Sequence, residues 1–89
     1  MAIEVGSVYV DVLTCDACGA VEALTARDIR CDSVFLLPAS GDTVSIVDWS
    51  DDCASIAIPT AGITLPITNP STIRVQGASG GETLSWMAV

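Results

Sequence analysis

The C-terminal run STIRVQGASGGETLSWMAV constrains the fold of this chain most, because two alternating segments of apolar and polar residues flank a glycine-rich stretch. In the first segment Ile73 and Val75 alternate with polar residues, and in the second Leu84, Trp86 and Ala88 do so. Alternation with a period of two is typical of a strand with one buried face. The run therefore predicts two strands that form a C-terminal β-hairpin.

The same alternation, broken by Gly, Pro, Asn and Asp, recurs upstream. The predicted strands cover residues 7–14, 28–37, 43–49, 53–58 and 63–67. The segment from Cys15 to Arg30 fits a helix poorly, and we interpret it as a loop that leads into a strand. Short strands with regularly spaced turns predict an all-β fold, a small antiparallel β-sandwich or jelly-roll-like barrel of about six to eight strands. We expect one domain over residues 1–89, with residues 1–6 as an extended arm.

The charge balance excludes several classes of function. Three arginines face 11 acidic residues, the net charge is −8, and the sequence contains no histidine. A long-range negative field disfavours binding to nucleic acid or to an anionic membrane. Without histidine or lysine, no side chain is suited to activate a serine or threonine nucleophile. We therefore expect a protein that is not an enzyme and that needs no cofactor.

Hydrophobic residues make up 51% of the 89 residues, more than a domain of this size can easily bury. Part of the apolar surface is therefore expected to contact another protein. No window approaches the roughly 18 apolar residues of a membrane span, and MAIEVGSVYVDV lacks the basic start of a signal peptide. We expect a soluble protein that is made in the cytosol and does not enter a membrane.

The four cysteines allow three interpretations. Cys15 and Cys18 have the spacing of a zinc or redox pair, but Cys31 and Cys53 are isolated. We favour the interpretation that the cysteines are buried thiols or form a disulfide, for which Cys31 and Cys53 are the candidates. A redox role for Cys15 and Cys18 is disfavoured because no βαβ pattern accompanies them. A zinc site that uses all four cysteines is the weaker alternative, and redox catalysis is weaker still.

Acidic and aromatic residues supply the remaining candidates for a site. Asp42, Asp48, Asp51 and Asp52 lie close together in the sequence, but aspartates favour turns through their own hydrogen bonds, so we prefer turns to a calcium site. Among the aromatic residues we expect Trp86 in the core. Trp49, beside the aspartate-rich turn, is expected to contact a partner.

From Ala20 to Val89 the order of segments resembles that of a known class of proteins. The order is IRCDSVFLLP, a Gly-Asp turn, TVSIVDW, AGITLPITNPSTIRVQG and a closing GGETLSWMAV. It resembles the small β-sandwich virion proteins of tailed bacteriophages, particularly head decoration (cement) proteins. This resemblance rests on strands and turns and covers about three-quarters of the chain. The CDACGA segment departs from the pattern.

The resemblance implies a dimer or trimer on the capsid exterior that binds the major capsid protein and stabilises the lattice. An extended apolar N-terminus is suited to strand addition, so the predicted partner contacts are Met1, Ala2, Ile3, Val5, Val8, Tyr9 and Trp49. The alternatives are a neck, tail or fibre-base component, a host-binding β-module, or a small cysteine metal-binding or redox protein.

Overall fold

A computed structural model describes residues 8–48, 50–51 and 53–89 of the chain. Within these ranges the chain forms eight strands, and the only helical element is one 3₁₀ turn at Pro70–Thr72. The strands are β1 (Tyr9–Thr14), β2 (Glu22–Ala23), β3 (Val34–Pro38), β4 (Val44–Val47), β5 (Ser55–Ala57), β6 (Ile63–Leu65), β7 (Arg74–Gly77) and β8 (Thr83–Ala88). The all-β prediction is confirmed.

The strands form two four-stranded antiparallel sheets. Sheet A has the order β1-β8-β3-β6, and sheet B has the order β2-β7-β4-β5. The inner faces supply one apolar core, as expected when alternating strands pack as a sandwich. Its buried residues are Cys15, Leu24, Val34, Leu36, Val44, Ile58, Ile73, Val75, Leu84, Trp86 and Ala88. The alternation predicted for the last two strands, and the core position of Trp86, are both confirmed.

The predicted C-terminal hairpin is wrong. β7 belongs to sheet B, where it pairs with β2 and β4, whereas β8 belongs to sheet A, where it pairs with β1 and β3. Alternation shows which face of a strand is buried, but it does not show which strand is its neighbour. The glycine-rich connection therefore crosses from one sheet to the other, and Gly80 and Gly81 adopt φ values of +95° and +81° in it.

Glu82 holds this crossing connection in place. Its carboxylate accepts the backbone N–H of Ser79 at 2.7 Å, and its carbonyl accepts the N–H of Cys15 at 2.7 Å. Oε1 of Glu82 lies so close to Gly77 that a side chain there would collide with it. The Ser79 N–H, followed by those of neighbouring loop residues, lowers the pKa of Glu82.

Other boundaries differ modestly from the predictions. The strand expected over residues 28–37 begins only at Val34, because Cys31 instead donates its N–H to the carbonyl of Thr68 at 3.0 Å. The segment after Cys15 is a loop that leads into the two-residue β2, as the sequence interpretation proposed.

Candidate functional site

The outer face of sheet A is the candidate site. Successive side chains on a strand point to opposite faces, and the buried residues of β3 and β8 fix which positions point outward. The register then places the outward residues of the four strands side by side. They are Val10, Val12 and Thr14 of β1, Thr83, Ser85 and Met87 of β8, Phe35 and Leu37 of β3, and Thr64 of β6.

Apolar side chains cross this face in a continuous row. Val10 lies opposite Met87, and Met87 lies opposite Phe35 on its other side. Val8, Val10 and Val12 are 52%, 65% and 54% exposed, although valine is among the residues most often buried. The valines on β1 thus form an uncovered stripe along one edge of the sheet.

The outer face of sheet A is also uncharged at every outward position of its four strands. The polar residues among them are threonines and one serine, whose hydroxyl groups cost little to bury when they find a partner. This neutrality contrasts with a chain whose net charge is −8. A contact made through this face therefore avoids most of the molecule's carboxylates.

Aromatic packing on the inner side anchors β1. The ring of Tyr9 stacks on that of Trp86, with centroids 5.4 Å apart. Arg27 donates from its Nη1 to the Tyr9 hydroxyl at 2.7 Å, and its guanidinium lies 5.2 Å from the centre of the Tyr9 ring. A guanidinium at this distance from an aromatic face is favourable. The exposed valines are therefore presented by an ordered strand.

At the other side of the face, the loop before β6 packs beneath Phe35. Gly62 has φ +87°, and a Cβ there would lie 2.6 Å from Cζ of Phe35. Only glycine combines this backbone conformation with such a close approach. Gly62 therefore leaves room for the half-buried Phe35 ring of the apolar row.

Most of the predicted partner residues lie outside the described residues. This applies to Met1, Ala2, Ile3, Val5 and Trp49, so their role stays a prediction. Val8 is exposed at the start of the valine stripe, and Tyr9 is half-buried against Trp86.

Val10, Val12, Leu37 and Met87 belong to the outer face of sheet A but were not predicted from the sequence as surface residues. A signal for the first two was present, because both alternating sets of β1 contain apolar residues. One set is Val8, Val10 and Val12, and the other contains Tyr9 and Leu13. A strand that is apolar on both sides must have a covering partner on each side or leave one side exposed.

The cysteines are dispersed free thiols, and Cys31 and Cys53 are not bonded to each other. Cys15 is buried, and burial, followed by the charges of Glu22, Glu82 and Asp42, raises its pKa. A raised pKa disfavours the thiolate that metal binding or redox chemistry requires. In the described part of the chain, no group of three or more His, Cys, Asp or Glu residues could hold a metal ion.

The described aspartates of the acidic segment are turn residues, as the sequence predicted. Asp48 accepts the N–H and the hydroxyl of Ser50, both at 2.8 Å, and these bonds lower the pKa of Asp48. Asp51 accepts the N–H of Cys53 at 2.9 Å. Asp42 lies at the other end of β4 and accepts the N–H of Thr83 at 2.9 Å. Asp52 lies outside the described residues.

The chain matches no protein-family model, no curated protein and no solved structure. Its resemblance to head decoration proteins therefore stays a prediction from the pattern of strands and turns. Among the described residues, no helix has the length and hydrophobicity needed to cross a bilayer.

Proposed function

We propose that this chain is a structural virion protein, a head decoration protein that binds the major capsid protein on the outside of a phage capsid. The observation that carries this proposal is the uncharged, apolar outer face of sheet A on an otherwise acidic molecule. Exposed apolar surfaces of this kind mark contacts with other proteins. Such a surface supports a role in binding another protein.

The proposed mechanism is stabilisation by mass action. A ligand that binds the assembled lattice better than the free subunit favours the assembled state. The negative charge of the molecule is compatible with this location, because it disfavours binding to the packaged DNA instead of to the shell.

The size of the face sets a limit on its affinity. Four strands about 4.8 Å apart, each up to about six residues long at roughly 3.3 Å per residue, give the face at most about 400 Å². Complete burial would contribute on the order of 10 kcal/mol, similar to the cost of association itself. Further contacts are therefore needed, and the N-terminal residues Met1 to Val5 are the predicted source.

Two substitutions of similar chemistry test the role of the face. Val10→Glu places a charge at the centre of the valine stripe, whereas Ile56→Glu places one at an equally exposed apolar residue of sheet B. We expect Val10→Glu to abolish occupancy on purified heads of the phage that encodes the chain, and Ile56→Glu to preserve it. Equal occupancy for both variants would reject the face as the contact.

Deletion of residues 1–6 tests the predicted arm in the same assay. We expect reduced occupancy, because the face alone buries too little area. Copy number distinguishes the alternative virion roles, since hundreds of copies in each particle indicate decoration, and a single ring of copies indicates a neck, tail or fibre-base component. One bound zinc per chain would instead favour the cysteine alternative.

A further inference from the structure

The edge of β1 is the longest strand edge that the described residues leave unpaired. β1 has six residues and is paired only with β8, whereas the other edge strands, β2, β5 and β6, have two or three residues each. Very short edges are poor templates for an added strand, but a six-residue edge is a good one. β1 is therefore the place where a further strand can join this fold.

The hydrogen bonds of β1 show which backbone groups point to the free edge. Cys15, which directly follows β1, donates its N–H to the carbonyl of Glu82, which directly precedes β8. Backbone groups two residues apart point the same way, so the odd-numbered residues of β1 face β8. The N–H and carbonyl groups of Val8, Val10 and Val12 therefore face outward. In agreement, the N–H of Val12 donates to Oδ1 of its own neighbour Asp11 at 2.8 Å.

The side chains along this edge are self-complementary. The segment Val8-Tyr9-Val10-Asp11-Val12 has valine at its centre and at both ends. When it runs antiparallel to a second copy of itself about Val10, valine lies opposite valine on the outer face, and each such pair can exchange two hydrogen bonds. We propose that the protein forms a twofold-symmetric dimer in which the β1 strands of two copies pair in this register.

Charge complementarity distinguishes this register from its neighbours. About Val10, the Asp11 carboxylate of one copy lies across from Tyr9 of the other, beside the Arg27 guanidinium that contacts the Tyr9 ring. A register shifted so that Val10 faces Val12 would place the two Asp11 carboxylates directly opposite each other, which is unfavourable. Pairing thus moves Asp11 from the N–H of Val12 to Arg27 of the second copy.

Pairing at this edge also addresses the size limit of the outer face. Two copies joined through β1 form one eight-stranded sheet, and the valine stripes of both copies lie at its centre. The combined outer face is at most about 800 Å², close to the area that each partner buries in a standard protein interface. The dimer does not depend on the proposed capsid contact, and it can be measured on the purified chain alone.

Sedimentation velocity of the purified full chain, under reducing conditions, tests the proposal from micromolar to millimolar protein. We expect a species of twice the 9.1 kDa chain mass. Val10→Pro removes an N–H that the β1–β8 pairing does not use, so we expect a folded monomer, while Val10→Thr keeps the N–H and the dimer. A monomeric wild type, or a Val10→Pro variant that dimerises, would overturn the proposal.

Charge reversal tests the register separately from the backbone bonds. Asp11→Lys and Arg27→Glu should each weaken the dimer at least about tenfold, because each reverses a contact that occurs twice in the dimer. The double variant Asp11→Lys/Arg27→Glu should recover most of the loss. A double variant as weak as the sum of the two single variants would reject the pairing about Val10.

Discussion

The outer faces of the two sheets differ in whether their apolar side chains are covered by long polar side chains. Sheet B also directs an apolar residue outward, Val47, yet that side chain is only 3% exposed. Its cross-strand neighbour is Arg74, whose Nη1 donates to the carbonyl of Asp48 at 2.9 Å. On the same face, Nε2 of Gln76 donates to the carbonyl of Gly19 at 2.7 Å. Sheet B thus has long polar side chains beside its outward apolar residue.

Sheet A has no such cover among its described outward residues, since its valines lie beside Met87 and short hydroxyl residues of β8. Long polar side chains can shield apolar surface with their aliphatic stems while their polar ends reach a partner. Where a small domain omits them, the apolar surface remains available for another molecule. The difference supports the proposal that the outer face of sheet A is the one that contacts a partner.

The comparison requires that outward residues of sheet A contribute little to folding, and neighbouring leucines of β3 test this most strongly. Leu36 is completely buried, whereas Leu37 points outward and is 37% exposed. We expect Leu36→Ala to lower the free energy of unfolding by about 2–5 kcal/mol, because it leaves a cavity in the core. Leu37→Ala should lower it by less than about 1 kcal/mol. Urea unfolding measures both.

Similar losses for the two leucine variants would contradict the division into a folding face and a binding face. Leu37→Ala should instead reduce occupancy on heads, an effect that a purely structural residue would not produce.

A smaller effect is expected at Arg74, which tests the cover on sheet B. Arg74→Ala should lower the free energy of unfolding by about 1–2 kcal/mol, since it exposes Val47 and removes the bond to Asp48. It should also increase the fluorescence of a dye that binds apolar surface. Arg74→Met keeps an apolar stem, so its dye fluorescence should stay close to that of the wild type. Equal fluorescence for both variants would show that Arg74 does not shield Val47.

The sequence was sufficient to predict the inner faces of the strands but not their neighbours. Ile73, Val75, Leu84 and Trp86 alternate with polar residues, and a period of two has one structural meaning. The same pattern permits the last two strands to pair in one sheet or to stack in different sheets. The observed arrangement includes contacts of Glu82 with Ser79 and Cys15, and a pattern of hydrophobicity does not contain that information.

The candidate site could be predicted only in part, for a related reason. The apolar composition predicts a partner surface, and the extended N-terminus predicts its location, and both stay predictions. Val8 begins the valine stripe, but Val10 and Val12 were assigned to an ordinary half-buried strand. They are exposed because β1 is an edge strand whose other face, which carries Tyr9, packs on Trp86. This arrangement belongs to the tertiary structure and cannot be read from the pattern of one strand. The direction of the backbone groups at the edge likewise follows only from the pairing of β1 with β8 and from the bond between Cys15 and Glu82.

The smallest expected effect concerns Glu82, in the connection between the two sheets, and the dependence of stability on acid pH. Backbone N–H groups lower the pKa of Glu82, so the folded state favours the charged carboxylate. This contribution is present above the usual glutamate pKa of about 4.3 and is lost as pH falls through the lowered value. Glu82→Gln should therefore weaken the fall of wild-type stability at acid pH, measured by urea unfolding across a pH series. It should also lower stability at neutral pH, because the charge-assisted bond to Ser79 is lost.

Asp48→Asn provides the matched control for that series. The pKa of Asp48 is lowered mainly by Ser50, but its bonds lie within one exposed turn of sheet B and do not join the sheets. Asp48→Asn should thus remove part of the acid dependence with a smaller loss at neutral pH than Glu82→Gln. If the two variants lose equal stability at neutral pH, Glu82 has no special role at the crossing. That result would mean that the connection between β7 and β8 does not need the Glu82 carboxylate to cross from one sheet to the other. The two sheets would then differ only in their outer faces.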